Sequence, residues 1–261
     1  MNIDKKYYQE INENLTNTIQ DTNISAPNKK VGKVRDAYFL DDKVVMISTD
    51  RQSAFDRVLA AIPYKGAVLN SVSAWWFKKT EHLFPNHLIS TPDPNVSIVE
   101  KCTVFPVEFV VRGYITGTTD TSLWTVYNKG DREYCGNVLP EGLKKNDKLD
   151  TPMLTPTTKD KVHDRPVSRE EIIELGLMTA EDYDVAAKMS LELFAFGQET
   201  AKNNGLILVD TKYEIGTDSS GKIKFVDEIH TPDSSRFWIR DSYKKRIDDG
   251  QVPENIDKEF L

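Results

Sequence analysis

Asp210, Lys212 and Glu214 stand at alternate positions in the apolar run 208–216, and Val226-Asp227-Glu228 follows a short polar interval. Side chains on a strand alternate between faces, so these three charged groups share one face. The interval Thr217-Asp-Ser-Ser-Gly-Lys222 has a turn composition. A hairpin centred on Ser220-Gly221 sets Glu214 directly opposite Asp227. Two facing carboxylates with a lysine on the same face suit a divalent metal and phosphate. A salt-bridged stripe facing solvent is the alternative that the pattern leaves open. Like charges placed directly across a ladder are destabilising without something positive between them, which weighs toward a cation.

Other segments carry compatible chemistry. Gly32-Lys33-Val34-Arg35-Asp36 lacks P-loop spacing, yet a glycine in a hairpin lets backbone amides approach a phosphate, and Lys33 adds charge. Ser48-Thr-Asp50-Arg51-Gln-Ser53-Ala-Phe-Asp56 gathers hydroxyls, an arginine and two carboxylates at a strand end. It reads equally as a ligand site or as an N-cap with local turn bonds. Arg112 ends an apolar strand beside Gly117-Thr118, and a planar guanidinium there suits carboxylate or phosphate; capping the strand is the other reading. Asp233-Ser234-Ser235-Arg236 offers a similar anion-binding set. Together the patches point to a phosphorylated, carboxylated ligand.

The elements that must position these groups follow from periodicity. Tyr7, Tyr8, Ile11, Leu15 and Ile19 recur at helical spacing, and 31–40 with 43–48 read as two strands joined by Asp41-Asp42. Val68, Leu69, Val72, Trp75 and Trp76 describe a helix whose tryptophans are expected in the core. The β-prone run 105–112 opens a second lobe, so the boundary falls between lobes 1–104 and 105–261. Residues 136–168 show little periodicity and read as a long loop, which holds Lys159 and His163 and serves as either a substrate loop or a solvated connector. A long helix through Ala186, Met189, Leu193 and Phe196 closes near Gly205.

A chain of 261 residues can bury a substantial core, in one large domain or two lobes. Its formal net charge of −7 disfavours general nucleic-acid binding. Neither a signal segment nor a membrane-length apolar run is evident, and Cys102 and Cys135 lack CxxC spacing, so a reducing cytoplasm without a structural metal is expected.

In order and spacing these segments resemble the phosphoribosylaminoimidazole-succinocarboxamide synthase (SAICAR synthetase) family. The resemblance rests on 32–36, 48–56, the block 105–118 (Phe-Pro-Val-Glu-Phe-Val-Val-Arg-Gly-Tyr-Ile-Thr-Gly-Thr), 208–216, and Asp227-Glu228 with 233–236. Two departures are visible: Gly117-Thr118 where the family commonly has Gly-Ser, and Glu214-Ile215-Gly216 where it commonly has Glu-Phe-Gly. The resemblance implies an α+β, two-lobed ATP-grasp-like architecture, with a mainly antiparallel sheet in each lobe and nucleotide between the lobes. It implies a ligase that joins L-aspartate to a carboxyaminoimidazole ribonucleotide (CAIR) through an acyl phosphate, with ATP and Mg²⁺, in purine biosynthesis. A cytoplasmic monomer or small homo-oligomer with small-molecule substrates is expected, with neither nucleic acid nor membrane as partner. On this resemblance Gly32, Lys33 and Arg35 contact ATP, while Glu214 and Asp227 contact it through the metal. Lys212 and Asp210 act at the reacting groups. Arg112, Thr118, Asp233, Ser234, Arg236, Lys159 and His163 bind substrate. A small-molecule kinase of similar architecture and a silent nucleotide-binding protein are the competing readings.

Overall fold

The structure, a computed structural model, describes residues 5–54, 57–159 and 164–257. The chain divides into two compact units, Met1–Lys79 with His87–Lys101, and Thr80–Asn86 with Cys102–Leu261.

In the first unit, helix α1 (Lys5–Glu13) precedes strands β1 (Lys29–Val31), β2 (Arg35–Phe39) and β3 (Lys43–Ser48). The apolar helical spacing therefore outlasts the helix, since Leu15 and Ile19 lie beyond it. With β6 (Leu88–Asp93) and β7 (Val96–Glu100) these strands form an antiparallel sheet in the order β1-β2-β3-β7-β6. The run 31–40 is not one strand: a tight turn at Gly32–Val34 folds β1 onto β2. Gly32 N–H donates to Arg35 O at 2.8 Å, and a Cβ on Gly32 would stand 2.7 Å from that oxygen. The close approach explains the glycine. Strands β4 (Arg51–Ala54) and β5 (Arg57–Ala61) make a separate hairpin, followed by α2 (Lys65–Thr80). Leu69, Trp76 and Phe77 bury one face of α2, whereas Trp75 is half exposed rather than core.

The second unit is built on β8 (Thr103–Tyr114) and β13 (Leu206–Thr217), paired along most of their lengths. Strand β11 (Lys148–Leu154) flanks β8, and β14 (Ile223–Val226) and β15 (Ser235–Ile239) both flank β13. Each of these strand pairings is antiparallel. Val107, Phe109 and Val111 on β8 and Tyr213 and Ile215 on β13 are fully buried on one face. Helix α5 (Ala180–Asn203) covers that face, bringing Tyr183 against Phe109 and Phe194 against Gly113. Burying several large side chains at about 1.5–3 kcal/mol each leaves the sheet one rigid apolar face and one face for polar groups.

The described parts of 136–168, residues 136–159 and 164–168, correct the expectation of a long loop. After α3 (Leu123–Asn128) the chain forms a small hairpin, β9 (Glu133–Tyr134) with β10 (Asn137–Val138), then β11, then β12 (Thr157–Thr158), which also pairs with β8. Pro152 and Pro156 interrupt these pieces, and the β11–β8 register shifts between Lys148 and Met153. Proline removes a ladder donor and the shift breaks the period of two, so no alternation survives for sequence reading to find. Helices α4 (Arg169–Glu174) and α6 (Arg240–Asp248) complete the described elements.

Candidate active site

The alternation read from 208–216 is present in β13. Tyr213 and Ile215 point into the core while Asp210, Lys212 and Glu214 lie on the opposite face. What faces them comes mostly from β8. Asp210 pairs with Arg112, Lys212 with Val110 and Glu214 with Glu108. On the other side Asp210 pairs with Arg236 of β15.

The carboxylate opposite Glu214 is thus Glu108. Across the 217–222 turn Glu214 faces Val226, not Asp227, because the hairpin sits one residue out of the expected register. A one-residue slip ordinarily sends a side chain to the other face. Asp227 escapes that rule because it has left the strand, adopting a left-handed backbone with φ of 62° just after β14. Its carboxylate still acts on Lys212 electrostatically.

The like-charged pair Glu108–Glu214 is held by Lys212, whose Nζ lies 2.7 Å from Glu108 Oε1 and 3.3 Å from Glu214 Oε1. The ammonium of Lys159, just past β12, reaches the other oxygen of Glu214. Burial works against the Lys212 charge, but Glu214, Glu108 and Asp227 outweigh it and hold the pKa above the ordinary lysine range. A raised lysine pKa means that the ammonium stays charged up to and beyond neutrality.

Asp210 organises the other half of the row. Its Oδ2 accepts a hydrogen bond from Arg236 and lies 3.8 Å from Arg112 Nη1. Arg112 Nε in turn donates to Thr155 Oγ1 at 2.9 Å. Two guanidinia are thereby pinned side by side. A cleft of about 230 Å³ is lined by Arg112, Asp210, Lys212 and Arg236, together with Thr119, Ser122, Asp233 and Ser234. The 231–234 turn is shaped by Thr231 Oγ1, which accepts from the N–H groups of Asp233 and Ser234, both at 3.2 Å. Ser234 O accepts the Lys212 N–H at 3.1 Å, tying the turn to the strand. Fixed cationic groups beside hydroxyls and a carboxylate suit a ligand with phosphate and carboxylate groups.

Behind the row, the Tyr213 hydroxyl hydrogen-bonds His230 Nε2 inside the core. Burial pushes the His230 pKa down to about 3 from 6.5. Below 6.5 the unfolded imidazole gains a proton that the native one refuses, so stability falls as pH drops from 6.5 toward 3. Across that window His230 should contribute a slope of about 1.4 kcal/mol per pH unit. Urea unfolding of the protein and of His230→Gln between pH 6.5 and 5 reads it, with the variant expected to lose one proton's worth of slope. Equal slopes would refute a neutral buried imidazole.

A sequence model of the SAICAR synthetase family matches residues 28–261. The chain belongs to that family. The phosphoribosylaminoimidazole-succinocarboxamide synthase of Legionella pneumophila (strain Lens) is 60% identical over 243 residues, 93% of this chain and 78% of that protein. SAICAR synthase from Saccharomyces cerevisiae, complexed with SAICAR, superposes with a TM-score of 0.76 at 34% identity, covering 86% of this chain and 81% of that one. A type-2 SAICAR synthetase in complex with ADP gives a TM-score of 0.72 at 27% identity over 89% and 88% of the two chains. The α+β fold with antiparallel sheets is that of SAICAR synthetases.

Of the residues expected from sequence, the structure brings Arg112, Lys159, Asp210, Lys212, Glu214, Asp227 and Arg236 into one connected row, with Asp233 and Ser234 at the same cleft. Thr118 is exposed and does not line the cleft; Thr119 and Ser122 from the same turn do. Gly32 and Lys33 occupy the exposed β1–β2 turn of the first unit, and Arg35 opens β2. His163 lies outside the described residues. Sequence reading missed the place of Glu108 in this row, although it belongs to the block 105–118, because cross-strand register is not written locally.

Proposed function

We infer that this chain condenses L-aspartate with the carboxylate of CAIR at the expense of ATP, giving SAICAR, ADP and phosphate in purine biosynthesis. Membership of the SAICAR synthetase family, at 60% identity to a named synthase, carries the reading. A carboxylate acylates poorly because oxide does not leave. Attack of a CAIR carboxylate oxygen on the γ-phosphorus breaks the β–γ P–O bond and releases ADP. The aspartate amine then adds to the acyl phosphate carbon, phosphate departs with the C–O electrons, and the nitrogen gives up a proton. Such a sequence needs alignment, neutralised charge and exclusion of water from the activated acid.

The residues divide accordingly in this proposal. Arg112 and Arg236, braced by Asp210, receive the anionic groups of the ribonucleotide with Ser234, Thr119 and Ser122. Lys212 stabilises charge at the transferred phosphoryl, and Lys159 assists beside it. In the first unit, the proposal gives Gly32, Lys33 and Arg35 to ATP. Among the described residues no cluster of three or more His, Cys, Asp or Glu is arranged as a metal cage. Mg²⁺ is commonly held by one or two carboxylates plus substrate phosphates, and Glu214 with Asp227 is a donor set of that kind. When bound, the ion would neutralise phosphate charge. Cys102 and Cys135 lack CxxC spacing, and a reducing compartment such as the cytoplasm is part of this proposal.

ADP release and SAICAR formation with Mg-ATP and CAIR, with and without L-aspartate, test the reading. Product requiring all three substrates is expected; ADP formed without aspartate would indicate a kinase instead.

One backbone position makes a separate test of the substrate cleft. Gly117 has φ of 101°, and a Cβ there would stand 2.4 Å from Ser122 Cβ. Gly117→Ala is therefore expected to cost about 1–3 kcal/mol of stability through backbone strain. By displacing Ser122 it should also raise the KM for CAIR while leaving the KM for ATP near its original value. Equal changes in both constants would contradict the placement of Ser122 at the ribonucleotide.

A further inference from the structure

We infer that Arg51, supported by Thr49, is the positioning residue that aims the backbone amides of the Gly32–Val34 turn at the nucleotide, an inference resting on the assignment of that turn to ATP. Arg51 is buried, with 8% of its surface exposed, at the start of β4. Its Nε donates to Lys33 O at 3.1 Å, and Nη2 donates to Gly32 O at 3.0 Å and to Asp36 Oδ1 at 2.7 Å. Nη1 donates to Gln20 O. The next carbonyl in the turn, Val34 O, accepts from Thr49 N–H at 2.9 Å and from Thr49 Oγ1 at 2.8 Å.

Three successive carbonyls are thus drawn toward one hub. A trans peptide is planar, and its N–H points opposite to its C=O. Holding the oxygens of Gly32, Lys33 and Val34 inward therefore turns the N–H groups of Lys33, Val34 and Arg35 away from the hub. Successive amides directed outward from a turn are the elements of an anion-binding concavity. The guanidinium fork is suited to this task, because it spreads five donors over a rigid plane, whereas an ammonium carries its three on one nitrogen.

The hub is itself stiff. Asp36 is fully buried and anchors Arg51, while Thr22 Oγ1 donates to its other oxygen at 2.7 Å and Lys29 Nζ lies 3.1 Å from it. Burial works against the Asp36 charge, but Arg51, Thr22 and Lys29 outweigh it and keep the carboxyl below its usual range. Asp50 fixes the neighbouring backbone, accepting from Ile19 N–H at 2.8 Å and Gly66 N–H at 2.9 Å. Within the Ser48–Ser53 segment, Thr49, Asp50 and Arg51 thus direct their polar side chains to backbone groups and to Asp36.

Arg51→Lys and Thr49→Val separate this role from a merely structural one, because the first keeps a positive charge beside Asp36 and the second keeps the side-chain shape. Calorimetric ADP affinity and the KM values for ATP, CAIR and aspartate are measured well below the unfolding temperature, with Lys33→Ala alongside. Losing charge-assisted bonds that hold the turn should weaken nucleotide binding and raise the KM for ATP about tenfold in Arg51→Lys. The KM values for CAIR and aspartate should stay within about twofold, a change too small to report a lost hydrogen bond. Thr49→Val should move the same quantities in the same direction, and it carries the test if Arg51→Lys does not fold. If Lys33→Ala weakens ADP binding while the folded Arg51 and Thr49 variants do not, the positioning role is overturned. If Lys33→Ala leaves ADP affinity unchanged, the assignment of the turn to nucleotide fails, and the inference fails with it.

Discussion

Lys212→Ala is expected to lower kcat on the order of a thousandfold, the scale on which removal of a single preorganised electrostatic group acts. The lysine bridges Glu108 and Glu214, and the charge of Asp227 also reaches it. Its ammonium is committed to this position by the sheet, since Lys212 faces Val110 on β8 and its N–H is taken by Ser234 O. In the proposed reaction, little reorganisation is then needed as phosphoryl charge develops beside it. Removing the ammonium leaves carboxylates facing one another across the β8–β13 ladder, with the Lys159 ammonium still beside Glu214. A drop in melting temperature should accompany the loss of rate. Burst kinetics and thermal unfolding measure the two effects. A variant that retains turnover within about tenfold, too little for a preorganised charge, would remove Lys212 from the reacting groups.

Asp227→Asn is the second large effect. Asparagine is nearly isosteric and is among the residues that tolerate left-handed backbone, so the φ of 62° is retained while the charge is lost. The fold should survive, and kcat should fall by about a hundredfold or more if this carboxylate holds a catalytic cation. The half-saturating Mg²⁺ concentration for ADP binding should rise as well, which calorimetry at several Mg²⁺ concentrations detects without turnover. Alanine at this position would confound the result by adding backbone strain. An Asn variant with normal rate and normal Mg²⁺ dependence would shift the metal assignment to other groups.

These two residues also show how far a sequence can be read. The spacing of Asp210, Lys212 and Glu214 placed them on one strand face, because a period of two is local and robust. The strand 105–112 and the helix closing near Gly205 were legible for the same reason. The partner of Glu214 was not. A turn one residue out of the assumed register replaced Asp227 by Val226, and the facing acid came from Glu108, 106 positions away in sequence, on a strand whose register is fixed by tertiary packing. Thr118 and Thr119 are adjacent hydroxyls in one turn, and only backbone dihedrals decide which of them lines the cleft. Arg51 read equally well as a ligand residue and as a local cap. Besides Asp36, its partners are the carbonyls of Gln20, Gly32 and Lys33, backbone atoms that leave no mark in the order of side chains.

Strand β13 changes neighbour part-way along its length. Residues 214–217 pair with β14 and residues 206–211 with β15, and the excursion 227–234 leaves and returns at the gap between them. That gap is where Lys212 emerges. The excursion is not a free insertion, because Glu228, Ile229, His230 and Thr231 within it are buried. One short segment thus packs the core behind the strand and shapes the cleft in front of it, so a change in its length would be felt on both sides.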